Sequence, residues 1–525
     1  MKSVHSLLVS VCFLFLSLAT TFAQTTGDYR TATPAAGNWS AASTWQRYNG
    51  TAWVAAPSAP TGTGVITIQS ADSVFINVAV SISGTLSNQG KLGGTGSLTV
   101  ANGGTYEHAQ NNGSIPVCTW ATGSTCLVTG YVTGSKPSNS NQSFYNFRWR
   151  CTGQTANVDL AMTGNTIGGD FIVDTSGVSS RVYLTSPASF ANPITINGNV
   201  IVNGGQCSSN GSGTAATITI NSNGNIILNG GIFGVSRGSA PDVTWNLLGN
   251  LTVTNATVQN SGGTHVNKLS FAGTGTHNVT LSNVAYGTGT SYFTMEIQSG
   301  STVNLGNSVI TSSNSGSFIL LGGGTFVTAN AGGVGGAVQS TGTSNGGGNS
   351  FNTAANYTFN GSVAQVTSAL MPTTVNNLII NNAAGVTLSQ ATTVNGVLRL
   401  QAGVFNNTIP FTLGPGATIS FEGGSLLVSV KSIGTTIPES FFLDQNYPNP
   451  FNPSTNIRFG LPNASYVSIK VFNLLGQEVA TLFEGHLNPG IHSTDFDAPH
   501  LGAGVYFYRV QTERSADIKR MMLLK

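Results

Sequence analysis

Between Val65 and Val430 the chain repeats one short theme: an alternating apolar run, an Asn-Gly or Gly-Gly turn, a second run and another turn. Two copies are plain, Ile194-Thr195-Ile196-Asn197-Gly198-Asn199-Val200-Ile201-Val202-Asn203-Gly204-Gly205 and Ile218-Thr219-Ile220-Asn221-Ser222-Asn223-Gly224-Asn225-Ile226-Ile227-Leu228-Asn229-Gly230-Gly231, offset by twenty-four residues. Looser copies follow at 247–259, 269–281, 296–310 and 357–366, and the series closes with Leu378-Ile379-Ile380, Val386-Thr387-Leu388 and Val397-Leu398-Arg399-Leu400. A period in the twenties with two or three short strands and no helix predicts a right-handed parallel β-helix over 65–430. A unit so short cannot bury its own apolar face and must stack on its neighbours. Alternate Val, Ile and Leu then point inward, and coils stack at the strand spacing of ~4.8 Å. A string of β-sandwiches also gives short strands between turn signals, but these repeats are too short for separate domains and no linkers punctuate them. The glycine-rich stretch from Gly332 to Gly348 is the main interruption and is expected as a long loop.

Composition fits an all-β solenoid. Charged residues make up only 7% of the chain and Gly supplies 67 of 525 positions, where ordinary domains carry roughly 25% charge and 7% Gly. Asn at a bend can bond to Asn in the next coil, Gly supplies the positive φ of tight corners, and charges at matching positions of successive coils would repel. A hydrophobic share of 40% gives enough apolar surface for a core, and a formal net charge of +2 gives a polyanion little to bind, so nucleic acid is not an expected partner.

The N-terminal residues read as a leader and a cap. Lys2, an apolar run from Leu7 to Ala19 and the small-residue site Thr21-Phe22-Ala23 predict a secretory signal peptide over 1–23. Residues 24–64 then hold Trp39, Trp45 and Trp53, three of the six tryptophans. They are expected to cover the exposed end of the solenoid core; the alternative is an aromatic platform on which sugar rings stack. Beyond the leader four cysteines remain, Cys118, Cys126, Cys151 and Cys207. One or two disulfides among them suit an exported protein, with the pairing open. Their spacing matches no zinc pattern, so no metal is expected.

Catalysis has little to work with. Nine carboxylates lie between Gln24 and Ile437, most alone in their coil. The best cluster is Asp159, Asp170 and Asp174. Asp170 and Asp174 fall on one side of a strand but about 13 Å apart, and scattered aspartates commonly bond the backbone in turns. Arg237 and Lys268 could be neighbours on successive coils and pass as lyase bases, yet no carboxylate-rich group accompanies them, and His108, His265 and His277 read as isolated surface residues. No glycine loop of the phosphate-binding kind precedes a helix, and no cofactor is expected. The favoured reading is a non-catalytic adhesive or glycan-binding surface protein; a carbohydrate-active enzyme on a β-helix is the alternative.

The last eighty-odd residues differ from the rest. They carry Gln445-Asn446-Tyr447-Pro448-Asn449-Pro450-Phe451, strands such as Val467-Ser468-Ile469-Lys470-Val471-Phe472, the run Gly504-Val505-Tyr506-Phe507-Tyr508 and a basic finish. This segment, 442–525, resembles the type A C-terminal sorting domain of type IX secretion substrates. On that resemblance Pro448, Asn449 and Pro450 match an early motif, Gly490 and Asp497 a glycine-to-acid segment, Gly504, Val505, Tyr506 and Tyr508 a late strand, and Lys519 and Lys525 the terminal basic residues. The resemblance implies a small Ig-like β-sandwich read by the type IX machinery. It also implies removal by a sortase-like peptidase within a linker at 431–441, and attachment to surface lipopolysaccharide. The expected location is the outer-membrane cell surface or the extracellular space, with extracellular glycans as partners of the passenger.

Overall fold

A computed structural model describes residues 24–32, 36–185, 192–211, 215–237, 241–261, 267–286, 294–311, 317–340, 348–409, 411–427, 431–434, 437–499 and 501–524. The proposed signal peptide, His265 and Lys525 lie outside them. The passenger is a three-faced parallel β-solenoid. Its first face is a continuous stack from Val65–Ile68 through Thr85–Asn88, Thr105–His108 and Thr125–Val128 down to Thr418–Phe421, within a 19-stranded sheet. The second face follows it in each coil, as in Val182–Thr185, Gln206–Asn210 and Ile232–Arg237. The third precedes the next first-face strand, as in Ile194–Ile196, Ala216–Ser222 and Pro241–Leu247.

Alternation fixes the core. Ile66, Leu86, Tyr106 and Cys126 lie in register at 20-residue steps and are all fully buried. Further down, Phe147 stacks on Phe171 with ring centroids 5.8 Å apart, and Val200, Ile226 and Leu251 continue the row. The coil length is not constant. Ile194 pairs with Ile220 and Val200 with Ile226, steps of twenty-six rather than the twenty-four read from the sequence. Two residues added to the second copy lengthen its third-face strand, and register follows the inward row rather than the first identical tripeptide.

Corners are stitched by side chains. Asp170, Asn199, Asn225, Asn250 and Asn278 each donate a backbone N–H to the side-chain oxygen of the residue one coil earlier, beginning at Asn146, at 2.7–3.0 Å. Beside this ladder Gly224 sits directly over Gly198 and Gly249 over Gly224, where a Cβ would collide with the carbonyl of the coil before. A second ladder runs Asp174, Asn203, Asn229.

The glycine-rich segment is not simply a loop. Gly333–Ala337 forms a one-turn helix that buries Val334 and Ala337, and Val338 bridges Ile310. The first face continues unbroken past it, Thr325–Thr328 pairing with Asn356–Phe359.

An antiparallel hairpin closes the N-terminal end. Tyr29–Thr31 runs parallel to Val65–Ile68 and antiparallel to Trp45–Tyr48, which pairs with Trp53–Ala55. Trp39 and Trp45 are 2% and 1% exposed and meet edge to face at 5.0 Å in the solenoid core.

The C-terminal region is two antiparallel four-stranded sheets around a separate core of Ile457, Phe459, Val467, Ile469, Tyr508 and Val510 among others. Lys431–Gly434, read as linker, pairs antiparallel with Gly490–Asp497 as an edge strand of one sheet. Bare edges recruit neighbouring chain, so only 437–441 of the described residues there remain unpaired joining segment. No helix among the described residues is long and apolar enough to cross a membrane.

Candidate functional site

The three aspartates singled out from the sequence are placed apart and used structurally. Asp159 begins no groove: it ends Val158–Asp159 on the second face and accepts the backbone N–H of Ala161 at 2.8 Å. Asp170 is a rung of the corner ladder and also accepts Asn199 Nδ2 at 3.1 Å. Asp174, at the opposite corner of the first face, is held by Arg148 Nε at 2.6 Å, Arg150 Nε at 2.9 Å and Asn203 Nδ2 at 2.9 Å. Burial alone would raise its pKa, but these donors outweigh it and hold the carboxyl below the usual range. Arg237 and Lys268 are not neighbours. Arg237 lies on the second face, where its charge is felt by Arg181, and Lys268 lies on the third, paired with Glu296 at 2.8 Å.

His108 and His277 are core residues, correcting the surface reading. His108 is fully buried. Its Nε2 lies 2.6 Å from the Asn112 carbonyl, which can only accept, so Nε2 carries the proton and Nδ1 faces the Tyr106 hydroxyl at 3.4 Å. Asn88 Nδ2 donates to the same hydroxyl at 2.9 Å. Burial lowers the His108 pKa, so the ring stays neutral. His277 is buried against Phe271 and bonds the Gly249 carbonyl through Nδ1 at 2.8 Å. The four cysteines are free thiols, three buried and Cys118 half-buried. Burial pushes Cys118, Cys151 and Cys207 up to about 12 and Cys126 well above its ordinary value.

Of the three tryptophans weighed as a sugar platform, Trp39 and Trp45 are covered by the core and offer no face. Trp53 lines a groove of about 510 Å³. The groove follows the outer side of the first face near its second-face corner, across the coils holding Thr67, Ser87, Glu107, Thr129 and Arg150. Five coils at ~4.8 Å give a length of about 19 Å. One end of it is formed by the terminal hairpin, whose strands continue the first-face sheet: Arg30 lies over the Trp53 ring at 4.6 Å from the centroid, and Tyr48 packs tilted beside that ring at 5.3 Å. Glu107 sits at the floor, accepting Thr129 Oγ1 at 2.9 Å, and Arg150 is oriented by Asp174. Gln89 is exposed at the corner, while Gln69 is tied to the Thr31 carbonyl at 2.6 Å. Sequence reading missed the groove because its members are about twenty residues apart; a search at the 20-residue coil step would have aligned Thr67, Ser87 and Glu107.

The tail residues picked from the resemblance fall into one assembly. Tyr508 donates its hydroxyl to the Asp444 carbonyl at 2.7 Å and accepts the Asn446 N–H at 2.7 Å. Burial pushes its phenol up to about 12. Asn446 Nδ2 reaches the Pro448 carbonyl and Thr455, and Asn449 accepts the Met522 N–H at 2.9 Å. Phe451, just after Pro450, bridges Leu523, so the Pro-Asn-Pro turn clamps the last strand. Gly490 and Gly504 open strands, Asp497 accepts Ser454 Oγ at 3.0 Å, Tyr506 bonds the Gly502 carbonyl, Val505 faces outward and Lys519 lies 3.9 Å from Asp517.

Residues 445–524 match the family model described as secretion system C-terminal sorting domain. That tail marks the chain as a substrate of type IX secretion, exported with a β-solenoid passenger. No curated protein and no solved structure matches the chain.

Proposed function

We propose that the passenger is a non-catalytic, glycan-binding protein displayed or released outside the cell, and that the groove running from the terminal hairpin along the first face is where it holds a saccharide. The observation that carries this reading is the groove's composition. Side-chain hydroxyls, amides, two guanidiniums and two carboxylates line it over several coils, a mixed set of donors and acceptors of the kind that sugar hydroxyls need. The contribution of Trp53 is modest, because Arg30 already occupies space over its ring. Glycoside cleavage requires two carboxylates within ~5 to 10 Å. Besides Glu107 the groove is lined by Asp28, whose oxygens are taken by Thr25 and the Val65 N–H. That commitment supports binding over hydrolysis.

The further steps belong to the same proposal. The first twenty-three residues direct the chain out of the cytoplasm, a sortase-like peptidase separates passenger from tail near 437–441, and surface lipopolysaccharide is the attachment point. The test is a polysaccharide array probed with the exported protein, followed by assay of every bound glycan for new reducing ends or unsaturated products. Binding without products, weakened by Arg150→Ala and Glu107→Gln, is the expected result. Products whose formation stops in Glu107→Gln would replace this reading with the carbohydrate-active enzyme.

A further inference from the structure

The two sheets of the tail share one core, yet their outer faces differ in chemistry. On the sheet with Ser454–Leu461 and Gly490–Asp497 the outward side chains are mainly polar and satisfy one another: Asn456 bonds Asp495 at 2.7 Å, Ser454 bonds Asp497 and Arg458 pairs with Asp444 at 3.3 Å, while Phe442 packs over Gly460 beneath the Arg458 guanidinium. On the other sheet the register sets Phe472 beside Phe507 and Lys470 beside Arg509, with Ile518 opposite Arg509. Its outer face is therefore apolar and cationic. Glu478, an acid beside it, is taken by Lys470 at 3.1 Å and Thr481 at 2.6 Å.

The turn after Phe472 adds to this face. Asn473 Oδ1 accepts the N–H groups of Leu475 and Gln477 at 2.9 and 3.0 Å, which fixes a tight tip. That tip holds Leu474 and Leu475 in solvent at 69% and 83% exposure. Apolar side chains grouped on a rigid element mark interaction sites. Between Phe472, Leu474, Phe507 and Ile518 lies a concavity of about 290 Å³, with Arg509 at its rim 5.2 Å over the Phe472 ring.

We infer that this outer face, and not the polar one, is the surface by which the tail docks on the export machinery. The partner is a protein that places an apolar side chain in the concavity with a carboxylate beside it to meet Arg509. The inference rests on the tail being the sorting domain. A small, bounded concavity with a single cation at its rim suits a protein anchor better than a lipid plane, and anchors of this kind carry most of an interface's energy.

The experiment compares the extracellular fraction of full-length chains in a bacterium with type IX secretion. The variants are Leu475→Glu, Arg509→Glu, Arg509→Lys, the opposite-face control Asn456→Lys and a chain ending before Phe442. Thermal melts of each purified full-length variant confirm that the tail is folded. Export is expected to fall about tenfold or more for Leu475→Glu and Arg509→Glu, as for loss of an interface anchor, with Arg509→Lys partly restored and Asn456→Lys near wild type. Normal export of the shortened chain would remove the tail's role altogether. Blocked export of that chain with normal export of both face variants would overturn the docking surface alone. Loss of binding to phosphatidylglycerol vesicles in Arg509→Glu, with export intact, would assign the face to lipid instead.

Discussion

Asp170 shows how a residue that looks catalytic in sequence can be structural. Its carboxylate does what Asn does in the coils above it, accepting the N–H of the next coil. Asp170→Asn is therefore expected to leave the melting temperature nearly unchanged, while Asp170→Ala strands a donor at the corner and costs ~1 to 3 kcal/mol in denaturant unfolding. Equal losses in both would contradict the ladder. His108 was misread because isolation in sequence says nothing about position in the coil. Its 20-residue step from Ile68 and Asn88 to Val128 was the available signal. Its pKa is lowered in the fold by burial. The unfolded chain takes up a proton as pH falls through ~6.5 while the native ring does not, so stability is full above that pH and declines below it until the lowered folded value is reached. Melting scans between about pH 7 and 5 should show a shallower decline in His108→Gln than in wild type. The cysteines were expected to form one or two disulfides and stand instead as four free thiols, three of them buried in the stack. Native protein at neutral pH should label slowly with maleimide at Cys118 and hardly at Cys126, Cys151 or Cys207; rapid labelling of all four would contradict their placement.

At the scale of elements, alternation and Asn-Gly punctuation were enough to locate strands, because inward rows and corners impose separate demands on the sequence. Strand pairing was less legible. The Ile194 and Ile218 tripeptides look alike, yet the inward row sets a step of twenty-six. The short helix at Gly333–Ala337 was hidden because glycine-rich sequence predicts a loop, and only the burial of Val334 and Ala337 gives it a reason. The edge strand Lys431–Gly434 was hidden because its partner lies some sixty residues on. The terminal hairpin is the element most open to test. Trp45 is buried and donates its indole N–H to the Trp39 carbonyl at 2.9 Å, so Trp45→Ala should cost ~3 to 5 kcal/mol. Hydrogen exchange should locate the loss in the first coils; uniform loosening down to Thr418–Phe421 would argue against an end cap.

Across the whole molecule, each coil contacts only its neighbours, so the solenoid gains length without gaining charge, and specificity must come from where the regular stack is broken. The terminal hairpin is such a break, and the groove starts at it. Both the solenoid and the tail were readable from periodicity and motif; the groove was not, since it exists only once coils are stacked and the hairpin is paired onto the end of the first face. The most direct test of the binding account is hydrogen exchange of the exported protein with and without the polysaccharide that binds it best on the array. The account predicts added protection confined to Tyr29–Thr31, Trp53–Ala55 and the first-face strands from Val65–Ile68 to Asn146–Arg150. Protection on the second or third face, with none along this groove, would contradict it.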